Sequence, residues 1–109
     1  MPPSSLFVKI LGNRAKVKVL DFLMKSPKTD FSISAIAKGA GIGRTTLFRI
    51  WKSFEDMRLV RKTRIIGNAK LFTLNIQNPM IEKMSAFYEQ TYYSMMNDSS
   101  ESEKPTKKK

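Results

Sequence analysis

Apolar side chains recur at helical spacing in the first half of the chain. Ser4 or Ser5 is expected to cap the first helix and Ser32 the third, because a hydroxyl can accept from a free amide at a helix start. The second helix is apolar over most of its circumference, which indicates packing against several neighbours. Gly39 and Gly41 are expected to close the third helix. The predicted helices cover residues 6–11, 14–25, 33–38 and 44–57.

The residues after the fourth helix change from a helical pattern to mixed β-branched and basic positions. Residues 59–66 and 71–74 predict the two strands of a hairpin, joined by a Gly67-Asn68 turn in which both residues tolerate positive φ. Residues 29–33 have room only for a short strand or a turn. We therefore predict a mainly α fold with a small β-hairpin (α+β).

The last predicted helix opens at Asn78-Pro79, where Asn caps and Pro fits the first helical position. Its apolar stripe is longer than packing within one chain requires, which predicts a C-terminal dimerisation helix over residues 79–97. The alternative is a helix folded back on its own domain. The predicted dimer interface comprises Leu6, Phe7, Ile10, Met80, Met84, Phe87, Tyr88, Thr91 and Met95. Residues 1–78 would form the preceding domain, and residues 98–109 a disordered charged tail.

Charge changes this picture from a generic helical domain to one with a polyanionic partner. The 109 residues include 20 Lys and Arg against 9 Asp and Glu, a net charge of +11. Such a surplus indicates nucleic acid or an anionic membrane surface. The last helix carries Lys83 against Glu82 and Glu89, which argues against lipid and for a protein partner. We therefore expect no membrane partner.

The absence of two residue types limits the chemistry. The chain has no Cys and no His, which excludes disulfides, thiol catalysis and the commonest metal ligands and general base. We expect no cofactor, no metal site and no enzymatic activity. Without a membrane-length apolar run or a signal-peptide pattern, we expect a cytoplasmic, nucleoid-associated protein.

A short sequence motif indicates which polyanion the positive charge of the chain would bind. Ala37, Gly41, Leu47 and Ile50 have the spacing of a helix-turn-helix, with a small residue at the helix crossing and Gly in the turn. A basic hairpin follows at the distance of a winged helix-turn-helix. Through "GIGRTTLFRI" and "GNAKLFTLNIQNP", residues 11–81 resemble the small winged-helix transcriptional regulators of archaea and bacteria. The resemblance is nearest to the archaeal branch related to the arsenic-repressor (ArsR) and multiple-antibiotic-resistance-regulator (MarR) groups.

That resemblance implies a recognition helix at residues 44–57 in the major groove and a basic wing at 60–74 on the backbone or minor groove. It also implies a dimer formed through terminal helices. Two positions depart from the family pattern: Gly43 replaces a capping Ser, and Arg58 replaces the Gly that ends the recognition helix. Arg58 is therefore expected to adopt a strained conformation. The metal-sensing members use Cys and His ligands, so that route of metal sensing is excluded here.

The exposed face of the recognition helix suits DNA. With Leu47 at the centre of the buried stripe, Arg49 can bond bidentately to guanine, and Arg44 suits a phosphate. Trp51 and Phe54 are interpreted as core residues, whereas Phe48 fits either the core edge or DNA. Solvated charge is the ordinary interpretation of any one basic residue, but the cluster favours DNA. The predicted DNA-binding residues are Arg44, Thr45, Thr46, Phe48, Arg49, Lys52, Arg61, Lys62, Arg64, Asn68 and Lys70.

The leading hypothesis is a sequence-specific, double-stranded DNA-binding transcriptional regulator acting as a homodimer. The alternatives are an architectural or plasmid-partition DNA-binding protein, and a winged-helix protein–protein interaction module. The sequence does not identify a small-molecule effector. The lysines of residues 104–109 could add nonspecific DNA affinity.

Overall fold

The computed structural model describes residues 5–98, with side chains as far as residue 94. That part of the chain is mainly helical with a small antiparallel sheet, as the sequence predicts. Its elements are α1 Leu6–Leu11, α2 Ala15–Lys25, β1 Phe31–Ser32, α3 Ile33–Ala40, α4 Arg44–Asp56, β2 Val60–Ile66, β3 Ala69–Leu74 and α5 Pro79–Asp98. The predicted tail begins inside α5 at Asp98, and its remaining residues, 99–109, lie outside the described part.

Side-chain caps fix the starts of three helices where the sequence predicts them. The hydroxyl of Ser5 accepts from the amide of Val8 at 3.1 Å, and that of Ser32 accepts from Ala35 at 3.1 Å. At α5 the Asn78 Oδ1 accepts from the backbone amide of Met80 at 2.9 Å. These contacts span two or three residues, so they follow directly from the local sequence.

The prediction that Gly39 helps to close the third helix is wrong. The helix continues to Ala40, and Gly41 alone ends it in the left-handed conformation, with φ 74°. Gly39 lies inside α3, where an added Cβ would overlap the ring of Phe22 on α2. A side chain at position 39 would therefore force the Phe22 ring to move, which glycine avoids.

The sheet has three strands in the order β1-β3-β2, one more than the predicted hairpin. β1 pairs antiparallel with β3, with Phe31 opposite Phe72. Ile66 pairs with Ala69 across a two-residue turn, in which only Gly67 takes positive φ, at 60°. The predicted turn position is confirmed, but Asn68 needs no left-handed conformation.

One hydrophobic core joins all five helices to the sheet. Phe54 of α4 and Leu74 of β3 are each about 1% exposed, and Ile81 of α5 is fully buried. Trp51 stacks on Phe54 with ring centroids 5.5 Å apart, which confirms that both are core residues. The other side chains with under 2% exposure are Phe7, Val19, Leu23, Ile36 and Leu47.

The burial of residues on α1 and α5 differs from the predicted dimer interface. Phe7, Tyr88 and Thr91 were expected at a dimer interface, but they are buried within the protomer. The rings of Phe7 and Tyr88 meet at 5.2 Å, so this side of α5 packs on α1 instead of facing outward. Ile81 is fully buried on the same helix.

A buried carboxylate that the sequence pattern did not single out joins α1 to α2. The hydroxyl of Ser5 donates to Asp21 Oδ1 at 2.7 Å, and Lys25 Nζ lies 3.5 Å from Asp21 Oδ2. Burial raises the pKa of Tyr88, and the nearby Asp21 carboxylate raises it further. Asp21 therefore helps to pack α2 against the terminal helices α1 and α5, and is not a solvent-exposed residue.

The end of α4 adopts the strained conformation that the sequence predicts. Arg58 has φ 58°, which a non-glycine residue adopts at a cost. Its carbonyl accepts from Asn75 Nδ2 at 3.0 Å and from Asn78 Nδ2 at 2.9 Å. These two bonds hold the chain reversal between α4 and β2 in place.

Candidate nucleic-acid interface

The α4 helix presents two adjacent exposed stripes on the side away from its buried residues. One stripe runs through Arg44, Phe48 and Glu55, and the other contains Thr45, Arg49, Lys52 and Asp56. Leu47 and Trp51 anchor the opposite side in the core. The helix starts at Gly43, which supplies no side-chain cap, so the first backbone amides retain their capacity to bind an anion.

A groove of about 390 Å³ separates α4 from the hairpin β2–β3. We call it the wing groove. Its walls are Arg44, Phe48, Trp51 and Glu55 from α4, Asn68, Ala69, Lys70 and Phe72 from the hairpin, and Ser32, Ile33 and Ser34 at the start of α3. Four of the residues predicted to bind DNA thus line one concave surface, although up to 26 positions separate them in sequence.

Phe48 lies on the outer edge of this groove. It is 56% exposed, too much for a core position. The Arg44 guanidinium lies 5.6 Å from the centroid of the Phe48 ring. This cation–π contact holds the Arg44 side chain near the groove without neutralising its charge.

The hairpin divides its basic residues between two faces. Lys62 pairs with Phe72, so Lys62 and Lys70 share the face that meets Trp51 of α4. Arg61 pairs with Thr73 and Arg64 with Leu71, which puts both arginines on the other face. The structure therefore does not bring all the predicted wing residues together.

Arg64 makes a two-point ion pair with Asp30, a residue that the sequence analysis did not select. The guanidinium donates from Nε to Asp30 Oδ2 at 3.0 Å and from Nη2 to Oδ1 at 3.2 Å. Thr63 donates its hydroxyl to the same carboxylate, at an irregularity in the β2–β3 register. The hydrogen bonds from Arg64 and Thr63 lower the pKa of Asp30 below its ordinary value. Asp30 braces the wing, which leaves Arg64 less free to contact a ligand than Arg61.

Lys52 also has an acidic partner, but a weaker one. Its Nζ lies 3.3 Å from Asp56 Oδ2 one helical turn away, with both side chains largely exposed. An exposed pair of this kind contributes little and breaks easily. Thr45 and Arg49 are exposed beside it, whereas Thr46 is half-buried.

Charge is uneven along this surface. Residues 44–70 contain eight basic and two acidic residues, a net charge of +6. Both acidic residues, Glu55 and Asp56, lie at the carboxyl end of α4, and residues 57–81 contain no Asp or Glu at all. The amino-terminal half of α4 and the wing strands therefore contribute basic residues alone, and the Asp30 carboxylate that contacts the wing is paired with Arg64.

The remaining predicted interface residues lie on the terminal helices. Ile10, Met80 and Phe87 are exposed, Leu6 and Met84 are half-buried, and the side chain of Met95 lies outside the described part. Phe87 still contacts Phe7, with ring centroids 6.0 Å apart.

Two further features of the described residues bear on other functions. Among residues 5–98, no helix combines the length and apolarity needed to cross a membrane. Within the same range, no three Asp, Glu, His or Cys side chains gather closely enough to hold a metal ion.

Comparison with known proteins identifies the fold. No protein-family model matches the chain, and no curated protein sequence matches it significantly. Solved structures do match. The antimony-specific transcriptional repressor AntR is 18% identical, with 84% of this chain and 78% of AntR covered and a TM-score of 0.58. The transcriptional regulator PA3341 is 22% identical, with 82% and 67% covered and a TM-score of 0.59.

ZitR from Lactococcus lactis is a further structural neighbour. A double mutant of ZitR is 16% identical, with 72% of this chain covered and a TM-score of 0.56, and the match spans only 56% of ZitR. A second ZitR structure, solved in complex with DNA, is 15% identical, with 75% and 60% covered and a TM-score of 0.52. The chain thus has the winged-helix fold of transcriptional regulators, as its sequence resemblance predicts.

Proposed function

We propose that the chain is a sequence-specific, double-stranded DNA-binding transcriptional regulator. The observation that carries this proposal is the wing groove, where Arg44 on α4 and Lys70 on the hairpin line one concave surface, with the Glu55 carboxylate at the far end of α4. Since ZitR has the same fold and has been solved with DNA, a duplex is the polyanion that best suits this surface. This function would locate the protein on the nucleoid in the cytoplasm.

In this proposal α4 lies in the major groove and contacts base edges through the stripe that contains Thr45 and Arg49. Arg49 is exposed and has no acidic partner among the described residues, so its guanidinium is available for the O6 and N7 of guanine. Thr45, one turn earlier, can contact a phosphate or a thymine methyl. Glu55 and Asp56 would lie where the helix leaves the groove, since a carboxylate near phosphates is repelled.

The wing groove supplies the contacts to the backbone. Arg44, Lys70 and the uncapped start of α4 offer two full charges and several amide donors to phosphate oxygens. Lys62 shares the face of Lys70, so a phosphate run along that face would meet both lysines. Arg61 has its own exposed position on the opposite face.

We further propose that the regulator is a homodimer joined through α1 and α5. Ile10 and Met80 are 55% and 50% exposed, and Phe87 is 41% exposed. Side chains of this kind on two packed terminal helices are best covered by a second copy. Two copies would present their α4 helices to half-sites about 34 Å apart, one turn of the duplex.

Paired variants test the proposal. Removing both groove charges with Arg44→Ala/Lys70→Ala should weaken binding to every duplex and lower the slope of log affinity against log salt by about 0.9 per lost phosphate contact. Arg49→Ala should instead cost roughly 10-fold or more on the preferred sequence only, since it removes a base contact.

Lys83→Ala on α5 is the matched control, because it removes one exposed charge from a different helix. It should leave both affinity and salt slope unchanged. Equal effects from all three variants would contradict the proposed interface, since net charge alone would then govern binding.

A further inference from the structure

The tip of the wing is apolar in an otherwise basic hairpin. Ile65 and Ile66 are each 55% exposed and directly precede the Gly67-Asn68 turn. Their cross-strand partners are Lys70 and Ala69, neither of which covers them. The proposed phosphate contacts and the Arg64–Asp30 ion pair account for the lysines and arginines of the wing, but neither accounts for two exposed isoleucines.

The charge around the tip indicates which partner would cover it. Lys70 pairs directly with Ile65, Lys62 shares that face of the hairpin, and residues 57–81 contain no Asp or Glu. The Asp30 carboxylate that contacts the wing is already paired with Arg64 and Thr63. A second copy would bring an equally basic wing and be repelled. A polyanion with an apolar recess, such as the sugar-lined minor groove of DNA, satisfies both the cations and the isoleucines.

Contacts with Asp30 hold the wing in place close to its tip. Asp30 bonds both Thr63 and Arg64, and these contacts join the hairpin to the segment before β1. β1 itself pairs with β3 through Phe31 and Ser32. A tip held by these contacts can transmit force to a ligand instead of folding away from it.

The dimensions of the hairpin then determine what insertion would do. Its two strands lie about 4.8 Å apart before side chains are added, whereas the minor groove of B-DNA is only about 6 Å wide. Since successive strand residues point to opposite faces, Ile65 and Ile66 would press on both walls of the groove. A groove opened in this way bends the duplex toward the major groove.

We propose that the wing tip is an apolar wedge, in which Ile65 and Ile66 enter the minor groove of duplex DNA and bend it. This inference rests on the proposed DNA-binding function and deepens it: the protein deforms its site as well as reading it. Sequence preference at the wing would then favour flexible pyrimidine–purine steps, which open at least cost.

The test compares bending and affinity in one set of variants of the full chain. The wild type should bend a short duplex by some tens of degrees, measured by energy transfer between its labelled ends. Ile65→Thr/Ile66→Thr keeps β-branched residues but removes the apolar surface. This variant should lose most of the bend and about 10-fold in affinity, with an unchanged salt slope.

Two further variants control for folding and for general apolar loss. Ile65→Val/Ile66→Val should retain most of the bend, because valine remains apolar and suits a strand. Ile76→Thr removes a similarly exposed isoleucine, 50% exposed, from outside the hairpin and should change neither quantity.

Failure of the wedge and failure of the proposed function give different results. A wild type that binds duplex with a steep salt dependence but leaves it straight would overturn the wedge and leave the DNA-binding proposal standing. Equal bending by the wild type and the threonine variant would likewise overturn the wedge and leave the DNA-binding proposal standing. A wild type that binds no duplex at all would overturn both.

Discussion

The side-chain amide of Asn78 donates to the backbone carbonyl of Arg58 at 2.9 Å. Arg58 follows the end of α4, and Asn78 caps α5. Asn78 also donates to the carbonyl of Met57 at 3.2 Å. A helix proposed to read DNA and a helix proposed to join two copies are therefore tied by the same asparagine.

The strain at Arg58 leads to the first prediction. Arg58→Gly should raise the free energy of unfolding by about 0.5–1 kcal/mol, because glycine adopts φ 58° without the Cβ penalty. Urea denaturation measures the difference. Arg49→Gly, inside α4, is the control and should lower stability by about 1 kcal/mol. A loss of stability in Arg58→Gly would show that the arginine side chain contributes more than its backbone costs.

For Gly39→Ala we predict a change in stability opposite to the one that helix propensity alone would give. Alanine normally stabilises a helix interior relative to glycine by about 1 kcal/mol. Here the new Cβ would overlap the Phe22 ring, so Gly39→Ala should destabilise the fold by about 1–3 kcal/mol. Thermal denaturation should show the loss.

Adding Phe22→Leu should recover part of that stability by making room for the methyl group. Gly43→Ala is the control, since nothing lies within 4 Å of a Cβ there. A stable Gly39→Ala protein would refute the close approach of α2 and α3.

These examples show what could be predicted from the sequence. The caps at Ser5, Ser32 and Asn78 involve neighbours within a few residues. The strain at Arg58 is predicted from the family resemblance, in which a Gly ends this helix. Gly39 was misinterpreted because its reason for being glycine lies on another helix.

Contacts between distant residues account for most of what the sequence did not predict. Asp30 meets Arg64 across 34 positions, and Ser5 meets Asp21 across 16. The two-residue strand β1 has too little pattern to predict its pairing with β3. At the candidate site, the sequence selected the basic residues, but the register of the hairpin decides which of them face α4.

The brace at Asp30 predicts a pH dependence. Its pKa is lowered in the folded chain, mainly by the hydrogen bond from Arg64, so its stabilisation is present above the ordinary value of 3.8. That stabilisation is lost as the pH falls through the lowered pKa. Asp30→Asn should therefore be less stable than the wild type at pH 7, and the gap should close as the pH falls below about 4.

Urea unfolding of both proteins from pH 7 down to pH 2 measures this gap. The other carboxylates titrate in both proteins, so the difference isolates Asp30. A gap that stays constant over the whole range would mean that the ionised carboxylate does not brace the wing.

The proposed dimer predicts a change of mass. The variant Ile10→Gln/Met80→Gln replaces two half-exposed apolar side chains, one on α1 and one on α5, with polar ones. It should remove the apolar contact between copies, so that sedimentation shows a monomer. Ile76→Gln, equally exposed but outside both helices, should remain dimeric. A wild type that sediments as a monomer at micromolar concentration would contradict the interface.

The most direct measurement is a binding titration of the wild type against promoter DNA from its own source and against a random duplex, at several salt concentrations. The slope of log affinity against log salt should be steep, about −0.9 for each phosphate contacted, with tighter binding to the promoter. A steep slope without preference would contradict sequence-specific regulation and favour an architectural DNA-binding protein. Weak binding with a flat slope would contradict DNA binding itself.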